Sequence, residues 1–163
     1  MRLPAILVLA FATTLSLAQT PSTSLVPKSP STKAPAVTYL FPEQVTIAAG
    51  KPTGVDLHFR IAPGLHINSH SPREAELIPT TLKFDDSAVT LKGATFPPGT
   101  DIAFAIDPSD KLSVYTDEFV IQARIVAPAG NHLVQAKLHF QACNNAMCMP
   151  PKTIPVAIDV IGK

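Results

Sequence analysis

Period-two alternation of apolar and polar residues is the feature that most constrains the fold of this chain. The stretch "VDLHFRI", residues 55–61, has an apolar residue at every odd position. Similar alternation occupies residues 119–125, 133–142 and 154–160. This period places successive side chains on opposite faces of a β-strand. With 17 prolines and turn sequences such as "PAGN" and "FPPG" between the runs, the sequence predicts an all-β fold.

About seven short strands of this kind predict an immunoglobulin-like β-sandwich, with a small barrel as the alternative. The domain is expected to cover residues 37–163. Residues 19–36 are rich in Pro, Ser, Thr, Ala and Lys and are expected to form a flexible, disordered linker, because such a composition cannot bury a core.

Residues 1–18 have the layout of a secretory signal peptide. Arg2 precedes an apolar run that is too short to span a bilayer comfortably, and Ser16 and Ala18 are the small residues of a cleavage site. The mature protein is therefore expected to be exported and soluble, an uncleaved membrane anchor being the alternative. The formal net charge of +1 offers no electrostatic basis for binding nucleic acid.

The stretch "QACNNAMCMPP" contains both cysteines of the chain, Cys143 and Cys148. In an oxidising compartment a disulfide is favoured over a metal–thiolate site. Continued alternation along the preceding strand would place Cys143 on the polar face, with His139 and Gln141.

The intervening "NNAM" predicts a tight hairpin, because Asn144 and Asn145 are turn formers that tolerate positive φ. Opposed residues of such a hairpin bring their Cβ atoms close to disulfide distance. The ring is small, so its stabilisation is about 2 kcal/mol, and Pro150 and Pro151 predict a sheet edge. Both a reactive pair and a structural staple are compatible with these features.

Other side chains allow alternative sites. His66 and His70 have metal-ligand spacing on a helix, but Gly64 and Pro72 flank them, which favours surface or turn histidines. His139 could favour a thiolate at Cys143 or be an ordinary exposed strand histidine.

Methionines beside the second cysteine raise a further alternative. In "MCM", Met149 with the two cysteines could bind copper(I), whereas methionines at a hairpin also commonly form an apolar contact surface. No metal ligand set is otherwise predicted. No Ser/His/Asp set, paired carboxylates or phosphate-binding loop is evident.

The segment "FQACNNAMCMPPKTIPVAI" resembles the amino-terminal periplasmic domain of the DsbD family of thiol:disulfide interchange proteins. The segments "RIAPGLHINSHSP", "LIPTTLKF" and "SVYTDEFVIQARI" are also similar to parts of that domain. The resemblance implies an immunoglobulin-like sandwich with a redox-active disulfide and no other cofactor. It also implies a periplasmic location, electron transfer and a connection to cytochrome c biogenesis.

In the family, this domain passes reducing equivalents from a membrane-embedded thiol transporter to oxidised periplasmic thioredoxin-like or disulfide-bonded clients. By resemblance, Cys148 is the attacking thiol and Cys143 the resolving thiol. Tyr115 is expected near the hairpin, an ordinary half-buried strand tyrosine being the alternative. Phe104 and Asp107 fall in the region where the family has a cap loop. The membrane and thioredoxin-like domains of longer family members are not present in this sequence, so the electron donor is expected to be a separate polypeptide.

Overall fold

The computed structural model describes residues 34–40, 44–85, 87–103 and 111–163, all within one unit of the chain, Thr32–Lys163. Its strands are β1 (Val37–Leu40), β2 (Val45–Ile47), β3 (Thr53–Ile61), β4 (His66–Asn68), β5 (Thr81–Phe84), β6 (Thr90–Thr95), β7 (Thr100–Ala103), β8 (Lys111–Tyr115), β9 (Glu118–Val126), β10 (Gly130–Phe140), β11 (Ala142–Cys143) and β12 (Lys152–Gly162). The described residues contain no helix, and so none that is long and apolar enough to cross a membrane.

The strands form three four-stranded sheets, with orders β1-β3-β9-β6, β2-β12-β10-β5 and β11-β4-β8-β7. Pairing is antiparallel except between β12 and β2, which are parallel. The predicted all-β, immunoglobulin-like sandwich is confirmed.

The alternating runs bury the faces that the sequence indicates. In β3 the four odd-numbered apolar residues are at most 4% exposed, while the residues between them are exposed. The same pattern holds in β9, β10 and β12. The first two sheets pack these faces into one hydrophobic core, which gives the sandwich its stability.

Aromatic side chains connect the third sheet to this core. The rings of Phe59 on β3 and Phe119 on β9 stack with centroids 5.1 Å apart, and Tyr115 on β8 stacks on Phe119 at 4.8 Å. Ile67 on β4 is fully buried in the same core. The short strands of the third sheet are therefore held against the sandwich, and β11, which carries Cys143, lies at that sheet's edge.

Candidate functional site

Cys143 and Cys148 form a disulfide, with their Cα atoms 4.0 Å apart. The two residues face each other in an isolated antiparallel bridge. The predicted hairpin with opposed cysteines is therefore present.

The prediction that Cys143 lies on a polar face is wrong. Its exposed fraction is 2%. The regular strand β10 ends at Phe140, and after Gln141 the chain enters β11, which pairs with β4 of the third sheet. Ala142 and Cys143 are both buried there, so the alternation cannot be extended across Gln141.

The hairpin turn depends on the side chain of Asn144. Its Oδ1 accepts hydrogen bonds from the backbone N–H groups of Ala146 and Met147, both at 2.8 Å, and its own N–H donates to the Met147 carbonyl at 3.0 Å. The asparagines form this turn without the positive φ that they tolerate, since the only described non-glycine residue with positive φ is Asp117. Asparagine is used here as a side-chain cap of the turn.

A pair of amides holds the base of the hairpin. Gln141 donates from Nε2 to the Met149 carbonyl at 3.3 Å, and its Oε1 accepts from Asn68 Nδ2 at 3.4 Å. Asn68 is fully buried on β4 and also donates to the Ile78 carbonyl at 3.0 Å. These two residues were not anticipated from the sequence, since a long-range amide pair leaves no local pattern.

The disulfide borders a cavity of about 320 Å³, whose described lining consists of His66, Ile102, Ala103, Leu112 and the hairpin residues 143–148. Both cysteines line this cavity, but Cys148 is exposed, whereas Cys143 is only 2% exposed. The two cysteines of one disulfide therefore differ sharply in their exposure.

His66 is a cavity residue, not the surface or turn histidine that was expected. It is 7% exposed on β4 and directly opposes Cys143 in the β4–β11 ladder. Burial lowers its pKa below the usual 6.5. The expectation of a surface histidine is correct for His70, which is exposed and stacks on Phe96 with centroids 3.9 Å apart.

Neither His139 nor Tyr115 lines this cavity. His139 contacts Thr153 through a 3.0 Å hydrogen bond and borders a different pocket. The Tyr115 hydroxyl donates to the Pro97 carbonyl and accepts from the His70 N–H, both at 3.0 Å. Burial raises the pKa of Tyr115, and these contacts favour a structural role.

Phe104 and Asp107 lie outside the described residues. Their segment, 104–110, connects Ala103 of β7 to Lys111 of β8, and these flanking strands pair with each other. Ala103 and Leu112 line the cavity on either side of that connection. A cap over the disulfide stays a prediction.

The methionines beside Cys148 have different surroundings. Met147 is 65% exposed at the cavity, while Met149 is half-buried and packs against the hydrophobic core. Within the described ranges, no group of three or more His, Cys, Asp or Glu side chains is placed to hold a metal ion.

The two prolines that follow are exposed between β11 and β12. The first residues of β12 pair with β10 on one side, and β2 joins its other side only from Val160 onward. The predicted edge position is therefore present.

Among solved structures, the chain is similar to the N-terminal periplasmic domain of ScsB from Proteus mirabilis, with 16% identity, a TM-score of 0.50 and coverage of 76% of this chain and 44% of that one. It is also similar to the reduced DsbD N-terminal domain of Neisseria meningitidis, with 22% identity, a TM-score of 0.48 and coverage of 70% and 82%. A third similar structure comes from the complex between the DsbD and PilB N-terminal domains of N. meningitidis, with 20% identity, a TM-score of 0.43 and coverage of 68% and 77%.

No curated protein matches the chain. The family model described as "Thiol:disulfide interchange protein DsbD, N-terminal" matches residues 36–159, which include the whole cysteine hairpin. This chain belongs to the family of DsbD N-terminal domains, which take part in thiol:disulfide exchange.

Proposed function

We propose that this domain relays reducing equivalents in the periplasm, from a membrane-embedded thiol transporter to oxidised thioredoxin-like or other disulfide-bonded proteins. The observation that carries the proposal is the asymmetry of the disulfide: both cysteines line the cavity, but Cys148 is exposed and Cys143 is only 2% exposed. A disulfide that only braced a core would gain nothing from having one exposed cysteine.

The asymmetry supports a different role for each cysteine. In the reduced domain, the Cys148 thiolate attacks the client disulfide. The attacking sulfur must approach along the axis of the client S–S bond, and an exposed cysteine can do so more easily than a buried one. The client S–S bond breaks, a Cys148–client bond forms, and the released client sulfur takes up a proton. Cys143 then attacks the Cys148 sulfur, which releases the second client thiol and leaves the Cys143–Cys148 disulfide.

The cycle closes when a dithiol of the membrane transporter reduces that disulfide by the same two steps in reverse. Two electrons and two protons pass from donor to client in each turn, and the cysteine pair is the only redox group that the exchange needs. The cavity beside Cys148 supplies a place for the partner's cysteine, with apolar contact offered by Ile102, Ala103 and Leu112.

The test uses single-cysteine variants and a defined probe. The probe is a thioredoxin with one active-site cysteine replaced and the other activated as a thionitrobenzoate mixed disulfide. The Cys143→Ala variant is expected to displace thionitrobenzoate rapidly and form a covalent complex through Cys148. The matched Cys148→Ala variant is expected to react at least about tenfold more slowly, because its remaining thiol is buried.

In denaturant, the two variants should react at similar rates. This control would show that the difference in rate comes from the fold. Equal rates for the two folded variants, or no complex with either, would overturn the proposed relay and favour a non-catalytic module with a structural disulfide.

A further inference from the structure

His66 lies opposite Cys143, the buried cysteine of the disulfide, on the neighbouring strand. It is the Cα partner of Cys143 in the antiparallel β4–β11 ladder, and directly opposed residues have Cβ atoms about 4.5–5.5 Å apart. Strand β4 is fixed from the other side by β8, through the pairs of Ile67 with Tyr115 and of Asn68 with Val114. The position of His66 relative to Cys143 is therefore set by a three-strand ladder.

The imidazole of His66 has an unused proton-accepting position. Its Nε2 is buried and has no hydrogen-bond partner among the described residues. A buried nitrogen without a partner costs about 1–3 kcal/mol and calls for a functional explanation. Because burial lowers the pKa of this histidine, the ring is neutral near pH 7, and in the Nδ1–H tautomer Nε2 is free to accept a proton.

Cys143 is the residue that needs such an acceptor. A thiol buried in apolar surroundings has a raised pKa, so little of it is thiolate at neutral pH. In the described part of the chain, the titratable side chains that line the cavity are His66, Cys143 and Cys148. On β8, Tyr115 opposes Ile67 rather than His66, and its hydroxyl is already bonded to the Pro97 carbonyl.

We propose that His66 is the base that takes the proton from the Cys143 thiol when this thiol resolves the mixed disulfide on Cys148. This inference rests on the proposed exchange function and adds a residue to it.

The step balances as follows. The Cys143 S–H bond breaks and its proton moves to His66 Nε2, while the Cys143 sulfur forms a bond to the Cys148 sulfur. The bond between Cys148 and the client breaks, and the client sulfur leaves with the electron pair and is protonated from His66 or water. When a donor dithiol reduces the disulfide again, the departing Cys143 sulfur takes up a proton that comes from the donor thiol or water, by way of His66.

The test is the two-phase reaction of the reduced chain with Ellman's reagent, which needs no biological partner. The first thionitrobenzoate is released by attack of Cys148, and the second by attack of Cys143 on the mixed disulfide. For His66→Gln, we expect the first phase to be unchanged and the second to slow by about 10²-fold, the lower end of the contribution of a positioned base. The matched control, His58→Gln, replaces an exposed histidine on β3 and should leave both phases unchanged.

The pH profile separates a proton-transfer role from a structural one. In the wild type, the second-phase rate should level off above the pKa of His66, which lies below 6.5. In His66→Gln, the rate should continue to rise past the ordinary thiol pKa of about 8.5, because burial raises the pKa of a thiol. A His66→Ala variant should regain the second phase when imidazole is added, because the cavity of about 320 Å³ is large enough to admit the ring.

The two possible failures are distinguishable. If the wild type releases only one thionitrobenzoate, the cysteine pair does not resolve mixed disulfides and the exchange function itself fails. If the wild type releases both, and His66→Gln has the same second-phase rate and pH profile, the role of His66 is overturned while the exchange function stands.

Discussion

Reduction of the Cys143–Cys148 disulfide is expected to leave the domain folded and only modestly less stable. The cysteines are five positions apart, so the ring contains six residues. For a ring of this size, the chain-entropy model gives a stabilisation of about 2 kcal/mol at 25 °C. Domains of this kind have unfolding free energies of about 5–15 kcal/mol, which leaves the reduced protein well on the folded side.

The contacts around the hairpin support this magnitude. The turn is held by Asn144, and Met149 N–H donates to the Ala142 carbonyl at 2.8 Å, independently of the sulfur atoms. The core of the two large sheets contains neither cysteine. Breaking the S–S bond therefore acts mainly on the unfolded chain, which loses a constraint. The folded domain loses few contacts.

The assay is urea unfolding of the oxidised and reduced protein, followed by circular dichroism. With a slope of about 2 kcal/mol per molar urea, the midpoint should fall by about 1 M on reduction. A Cys148→Ser variant should match the reduced wild type and be insensitive to reductant. Unfolding of the reduced protein without urea, or a loss above about 5 kcal/mol, would refute the reasoning and identify the disulfide as a staple.

Three further changes test the packing around the site. Leu138→Ala should lower the unfolding free energy by about 2–5 kcal/mol, because Leu138 is fully buried. The control Leu133→Ala on the same strand should have little effect, since Leu133 is 62% exposed. Equal losses of stability in the two variants would contradict the fold. Gly162→Ala should lower the unfolding free energy by about 1–3 kcal/mol, because the new methyl group would overlap the Pro128 carbonyl. In the control Gly93→Ala, the new methyl group meets no atom within 4 Å, so this variant should be tolerated. Thermal unfolding of both variants checks this. Tyr115→Phe should lose about 1–3 kcal/mol of stability in urea, because two part-buried hydrogen bonds are removed, each of which contributes about 0.5–1.5 kcal/mol. An unchanged midpoint would show that these bonds contribute nothing.

Much of the fold could be predicted because the relevant signal is local. Alternation in β3, β9, β10 and β12 marks the buried face of each strand, and the two large sheets pack those faces together. The opposed cysteines were likewise predictable, since hairpin geometry depends on a few adjacent residues.

The surroundings of the disulfide were not predictable by the same reasoning. The change of sheet at Gln141 buries Cys143, and it depends on pairing with β4, some 75 positions earlier in the chain. The burial of His66 likewise depends on distant strand pairing, because β4 pairs with β11 on one edge and with β8 on the other. Period-two patterns identify faces within a strand but carry no information about which short strands will pair.

A redox titration of the purified domain in glutathione buffers tests the central claim most directly, with the thiol content read by alkylation and mass spectrometry. The account predicts one two-electron transition of Cys143 and Cys148 at a potential above about −300 mV, the range of labile and catalytic disulfides. If the pair remains a disulfide in every glutathione buffer, down to a potential of about −300 mV, its reduction potential lies in the range of structural disulfides. That result would contradict the claim that this domain exists to exchange its disulfide.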